Sequence, residues 1–326
     1  THYGVERVTA TSLAGHRLSK GWANNQKVFF AAEFSQPVTV EPMDSGRWLI
    51  TASDVSQPLL VKVGLSAVSV DNAEANRKAE LPGWDFRNQV ALADKAWNEA
   101  LGRVTIKTSN LMQRRIFYTA LYHTMTAPSV FSDVNGDYRG ADGEVHHGSF
   151  TNYTTLSLWD TYRAAHPFYT LAVPEMVCPF VRSMISQAET QGHLPIWALW
   201  GKENYCMIAN HSVPIIAEAY HKGFRDFDAE RAFQAIKMTQ TKSHKMKSDW
   251  ETYMKYGYFP CDIIKMESVS GTLENVYDDY AAADMALLMG KKDDYKYFAR
   301  RADFYKNLFD KSTNFMRPRL STGEWK

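Results

Sequence analysis

The sequence predicts an α+β multidomain chain: a partial N-terminal antiparallel β-sandwich over residues 1–84, a linker helix and strand over 85–109, and part of an α/α toroid over 110–326. Three observations carry this. Short runs rich in Val, Phe, Ile and Thr, spaced by turn-formers, fill the chain up to about residue 80. At Asp85 the apolar period changes from two to near 3.6. From Asn110 onward amphipathic segments succeed one another, with long aromatic loops only at alternate connections.

In chain order, VERVTATSL, KVFFAAEFS, RWLITA and LLVKVGLSAV read as strands, with turns at Asn24-Asn25, Gln36-Pro37, Asp44-Ser45-Gly46 and Gln57-Pro58. Their alternation is partial, as in strands covered on one face. Asp71 to Lys78 is polar and Ala-rich, and Leu81-Pro82-Gly83 breaks the pattern. Phe86, Val90, Ala93, Trp97 and Leu101 mark one face of a helix that ends at Gly102, and VTIKTS at 104–109 reads as a lone strand. Leu111 to Thr126 is the next helix. Ser132 to Phe150 is irregular, with hairpin turns at Asn135-Gly136 and Asp142-Gly143.

Further helices are expected at 152–165, 174–190, 207–222, 227–240, 273–289 and 292–309. Asp228 and Asp293 stand where N-caps belong, and Gly223, Gly257 and Gly290 where helices stop. A closed ring of six pairs needs about twelve helices, and about seven are legible. The 326 residues therefore read as the central portion of a longer polypeptide, with no signal peptide in view.

Composition excludes several classes. The formal net charge is +1, from 37 basic and 36 acidic residues, so no electrostatic case exists for nucleic acid or anionic membrane as partner. The one dense basic run, Lys237 to Lys247, reads equally as a solvated loop. Cys178, Cys206 and Cys261 are too scattered for a disulfide framework or a zinc site. No run of apolar residues is long enough to span a membrane. There is no HExxH, EF-hand, phosphate-cradle or G-x-S-x-G pattern.

What remains is a pair of aromatic clusters. Trp159, Asp160 and Arg163 form the first; His193, Trp197, Trp200, Glu203 and Asn204 form the second, in a Gly/Pro-punctuated stretch. A pyranose lays its C–H face on an aromatic ring while its hydroxyls need fixed donors and acceptors, which is the chemistry these residue types offer. Each has a plainer reading. Asp160 and Arg163 share a helix face and could be an ion pair over a core Trp. Glu203 could sit in the first turn of the following helix and complement its dipole. His193 and His211 could be hydrogen-bonded interior histidines. Glu267, Glu274, Asp278 and Asp279 are further carboxylates, and at least one of the adjacent Asp278-Asp279 pair is expected to be solvated.

Five long segments carry a resemblance: SKGWANNQKVFFAAEFS (19–35), FYTALYHTMTAPSVFSDVNGDYRG (117–140), TLSLWDTYRAAHPFYTL (155–171), GHLPIWALWGKENYCMIANHSVPIIAEAYHKG (192–223) and TLENVYDDYAAADMALLMG (272–290). In this order they resemble glycoside hydrolase family 92, the calcium-dependent exo-acting α-mannosidases. The resemblance implies a β-sandwich, a connecting helix and an (α/α)6 barrel. It implies hydrolysis of terminal α-linked mannose, most simply α-1,2, with inversion and with Ca2+, on a mannoside oligosaccharide or N-glycan in a secreted, periplasmic or cell-surface setting. The family's E-G-N segment with the acid and G-N-D-D-x-G-Q-type segment with the base do not occur before Lys326. No catalytic residue or calcium ligand is therefore assigned here, and Asp160, Arg163, Trp159, Trp197, Glu203 and His193 are the expected sugar contacts. A non-catalytic mannan-binding module and a different inverting α/α-barrel glycosidase are the alternatives.

Overall fold

The computed structural model describes residues 2–244 and 248–326, so the last part of the basic run, 245–247, lies outside the described residues. The chain divides into two compact units, Thr1–Thr154 with Trp200–Lys202, and Thr155–Leu199 with Glu203–Lys326. The observed class is α+β, with antiparallel strands first and helices after them.

In the first unit β1 (His2–Thr9), β2 (Ser12–Ser19) and β3 (Gln26–Phe34) are followed by the hairpin β4 (Val38–Pro42) and β5 (Trp48–Ala52), then β6 (Val61–Ser66). The main sheet runs β1-β2-β3-β6, antiparallel throughout. The run VERVTATSL is not one strand but parts of two. Thr9 and Ser12 share a hydroxyl hydrogen bond of 2.6 Å, and the Thr11 N–H donates to Thr9 Oγ1 at 3.2 Å. Such local side-chain bonds make a turn without Gly or Pro.

The polar Asp71–Lys78 stretch is a helix, α1 (Val70–Glu80), capped by the Ser69 hydroxyl accepting from the Asn72 N–H at 3.1 Å. Ala14, Ala31, Val70 and Ala73 join it to one face of the sheet, while Leu13, Ala32, Phe34 and Val38 form a second cluster with Ile50 and Leu59. Gly64 permits the first contact: a Cβ there would stand 2.1 Å from the Ala73 carbonyl oxygen.

Helices α2 (Phe86–Leu101) and α3 (Leu111–Thr124) begin where their caps, Asp85 and Asn110, accept N–H groups of the first turn. Residues 104–109 are not a strand. They find no ladder partner among the described residues, and the Val104 carbonyl instead accepts from Tyr118 Oη on α3 at 3.2 Å. Short ladders complete the unit: β7 (Ser129–Val130) with β10 (Tyr153–Thr154), and the hairpin β8 (Asp137–Arg139) with β9 (Val145–His147), turning at Asp142-Gly143.

The second unit opens with β11 (Leu156–Ser157), α4 (Leu158–Thr161), α5 (Ala165–Ala172) and α6 (Val177–Gln191). The helix expected at 152–165 is thus extended in its first part, up to Ser157, because the β-branched Thr154-Thr155 run joins strands and Thr155 takes φ 61°. Next come β12 (Trp197–Leu199) and β13 (Lys202–Glu203), then α7 (Ser212–His221), α8 (Ala229–Thr241), α9 (Trp250–Tyr256), α10 (Ser268–Leu288) and α11 (Lys292–Ala302). Helix α7 starts five residues later than its pattern suggests, since Tyr205, Met207 and Ala209 all have positive φ. Helix α9 is short and goes unread in the sequence; Asp249 caps it. Asp228 caps α8 as expected, whereas Asp293 lies inside the first turn of α11, one residue past its start.

Helix α10 is the axis of this unit and packs against α7, α8 and α11. Its run of Ala281, Ala282, Ala283 and Ala286, all buried, lets those neighbours approach closely. Among the described residues no helix is long and apolar enough to cross a membrane.

Candidate functional site

Antiparallel pairing of β11 with β12 sets Leu156 opposite Ala198 and Ser157 opposite Trp197. This short ladder joins the two aromatic clusters. On one side, the Ser157 hydroxyl donates to the Asp160 carboxylate, which is solvent-exposed at the start of α4. On the other, the Glu203 carboxylate is buried and accepts the backbone N–H groups of Ile196 (2.7 Å), Trp197 (2.9 Å) and Tyr205 (2.8 Å). Glu203 lies on β13, nine residues ahead of α7, so it complements no helix dipole. It organises the loop that carries Trp197.

His193 follows Gly192, whose left-handed φ of 86° ends α6. The imidazole is buried, with Nδ1 on the Leu194 carbonyl (2.9 Å), Nε2 on Tyr205 Oη (3.3 Å) and its face stacked on His244 at 4.2 Å. Trp200 belongs to the first unit. Its indole N–H donates to the Lys27 carbonyl at 2.9 Å and its ring meets Phe131 edge-on at 5.5 Å.

Arg163 does not pair with Asp160. Its guanidinium spreads over the rings of Trp159 (4.4 Å) and Tyr162 (4.8 Å) and points an Nη2 at Glu274 Oε1, 3.9 Å away. Glu274 leads to a constellation that the sequence reading did not assemble. Its Oε2 meets His211 Nε2 at 2.5 Å, and His211 Nδ1 meets Asp278 Oδ1 at 2.7 Å. Tyr162 stacks on the same imidazole at 3.9 Å. Asp278 also accepts the Asn210 N–H at 2.8 Å.

Burial alone would depress the His211 pKa, but the Asp278 charge and hydrogen bonds to both carboxylates raise it to about 9. Burial pushes Glu274 upward, and the hydrogen bond and charge of His211, with Arg163 and Trp159, bring it below the ordinary glutamate value. His211 thus sits between two acidic side chains, Asp278 deep and Glu274 half-buried.

Neither Asp278 nor Asp279 is solvated. Both are fully buried, on neighbouring faces of α10. Asp279 is gripped by Arg301 (Nη2 2.9 Å, Nε 3.0 Å), Tyr253 Oη (3.2 Å) and Gln240 Nε2 (3.3 Å). A cleft of about 390 Å³, lined in part by Tyr162, Arg163, Tyr277 and Tyr280, opens beside the His211 cluster along α7 and α10.

The model of the glycosyl hydrolase family 92 catalytic domain matches residues 72–326. The chain belongs to glycosyl hydrolase family 92. A solved family 92 α-mannosidase from Bacteroides thetaiotaomicron is 35% identical and superposes over 99% of this chain with a TM-score of 0.91. It was also solved in complex with mannoimidazole. A second solved enzyme of that organism, a family 92 inverting mannosidase, is 29% identical over 97% of this chain, with a TM-score of 0.88. The chain covers 46% of each. An uncharacterized secreted glycosidase of Arthroderma benhamiae is 26% identical over 81% of this chain and 34% of its own length. The chain thus spans about half the length of these solved relatives, and less of the fungal one.

For a family 92 chain the question of a metal arises. Among the described residues no group of three or more His, Cys, Asp or Glu side chains is disposed to hold an ion. In the sequence the visible trace of the His211 cluster is the i,i+4 spacing of Glu274 and Asp278, which puts both on one helix face. The histidine comes from a loop more than sixty residues earlier, with no local pattern to announce it.

Proposed function

We propose that this chain is the central portion of an exo-acting glycosidase that removes terminal α-linked mannose, with α-1,2 as its linkage and with inversion at the anomeric carbon. The observation that carries this reading is the family 92 match over residues 72–326, supported by two solved mannosidases that superpose on nearly the whole chain. The substrate is a mannoside oligosaccharide or N-glycan met outside the cytoplasm, in line with the secreted fungal relative.

In this reading residues 1–84 belong to a β-sandwich, 85–109 link it onward, and 110–326 form part of an (α/α)6 barrel. Asp160, Arg163, Trp159, Trp197, Glu203 and His193 make up the sugar-recognition region, Asp160 and Arg163 at its exposed rim and Glu203 and His193 as buried supports. Inversion needs an acid that protonates the leaving oxygen and a base that activates water across the ring. The family resemblance puts both in polypeptide C-terminal to Lys326, and the Ca2+ ligands outside this segment.

The test uses the full-length protein with p-nitrophenyl α-mannoside, α-glucoside and α-galactoside, and with α-mannobioses of each linkage. Release of mannose from the α-1,2 disaccharide, lost with EDTA and restored by Ca2+, is the expected result. Preference for an α-glucoside overturns the mannosidase reading; activity indifferent to EDTA overturns the metal.

A further inference from the structure

We propose that Glu274 is itself a sugar-hydroxyl ligand of this site, and that His211 and Asp278 are its positioning residues. The inference rests on the glycosidase reading above.

Glu274 is the one carboxylate of the cluster that reaches solvent, with 20% of its side chain exposed against none of Asp278. Its two oxygens have different fates. Oε2 is taken by His211, whereas Oε1 faces the Arg163 guanidinium across 3.9 Å, beyond hydrogen-bond length. That gap suits neighbouring hydroxyls of one pyranose, one donating to Oε1 and the other accepting from Arg163. Arg163 is presented for this by the Trp159 and Tyr162 rings beneath it.

The same geometry says what Glu274 does not do. A carboxylate bonded to a buried imidazolium resists protonation, so it accepts hydrogen bonds and is no proton donor to a leaving group. The groups facing His211 are Asp278, Glu274 and Tyr277 from α10 and Tyr162 just after α4, with Arg163 beyond Glu274. Asp278 supplies the deep negative charge that keeps the ring protonated and its Nε2–H aimed outward. No bond to the substrate is made or broken by this triad.

Full-length protein and its Glu274→Gln and Asp278→Asn variants are assayed with p-nitrophenyl α-mannoside across pH 5–9. Glu274→Gln, nearly isosteric, is expected to lower kcat/KM about 10- to 100-fold, mostly through KM, as for a lost charged hydrogen bond. Asp278→Asn is expected to move the alkaline limb of kcat/KM down by about one to three pH units. A Glu274→Gln enzyme within twofold of wild type, or an Asp278→Asn loss equal at every pH, overturns the proposal. The 15N spectrum of the wild-type His211 ring is the independent reading: both nitrogens protonated at pH 8 supports the triad, and a neutral ring at pH 7 sinks it. If another glycoside proves to be the substrate, the mannosidase reading fails alone, and the same two variants decide the role of Glu274 on that glycoside.

Discussion

The Tyr162 ring lies 3.9 Å from the His211 imidazole, centroid to centroid and within 26° of parallel. The stack covers one face of a histidine whose pKa is raised by the Asp278 charge and by hydrogen bonds to Asp278 and Glu274. That has a consequence for stability.

The folded His211 pKa is raised, from 6.5 to about 9. The stabilisation is fully present below pH 6.5, and it is lost as pH rises toward 9. Its full size is about 3 kcal/mol at the usual 1.36 kcal/mol per unit. Glu274 works in the other direction, since its depressed pKa contributes stability that disappears as pH falls below the ordinary glutamate range. Chemical denaturation of wild type and His211→Gln at pH 6 and pH 9 should show the wild-type advantage shrinking at pH 9. An equal difference at both pH values would count against a charged ring.

Glu203 gathers three backbone N–H groups from one loop. Glu203→Ala should cost about 3 kcal/mol or more, because each N–H loses a charged acceptor while buried. Glu203→Gln should fall between, its amide nitrogen facing donors it cannot accept. Urea midpoints with unchanged m-values would test this; a change below about 0.5 kcal/mol would show the loop organised by something else.

For the fully buried Asp279–Arg301 pair, removing one partner strands a charge. Arg301→Met and Asp279→Leu should each destabilise by about 3–5 kcal/mol. The double variant should recover much of that loss, since hydrophobic replacement of both ends removes the desolvation penalty as well. Additive losses, read from thermal melts of the four proteins, would refute a mutual pairing.

Asp160 stands exposed on α4, held by Ser157. Asp160→Ala should leave the melting temperature within a degree or two, as expected at an exposed site, and weaken calorimetric binding of α-mannobiose about tenfold or more. Unaltered binding would remove Asp160 from the recognition region.

Legibility in the sequence followed locality. Helices α2, α3 and α8 could be read because their caps, Asp85, Asn110 and Asp228, sit next to the turns they cap. Helix α1 could not, because half of its buried face is polar. Asn76 and Arg77 are interior only by virtue of Asp133 and Glu33, partners remote in sequence. The candidate site divides the same way. Trp159, Asp160 and Arg163 are visible as a cluster, but the carboxylate that Arg163 faces, Glu274, is remote in sequence. Asp278 and Asp279 look like a solvated helix surface until His211 and Arg301 arrive from distant segments to occupy their oxygens.

The rungs Leu156–Ala198 and Ser157–Trp197 are the whole of the ladder that brings the WDTYR and WALW stretches side by side. Neither stretch, transplanted singly into another scaffold, would take its local geometry along. Any exchange of these loops must move both as a matched set, or the tryptophans will arrive without their neighbours.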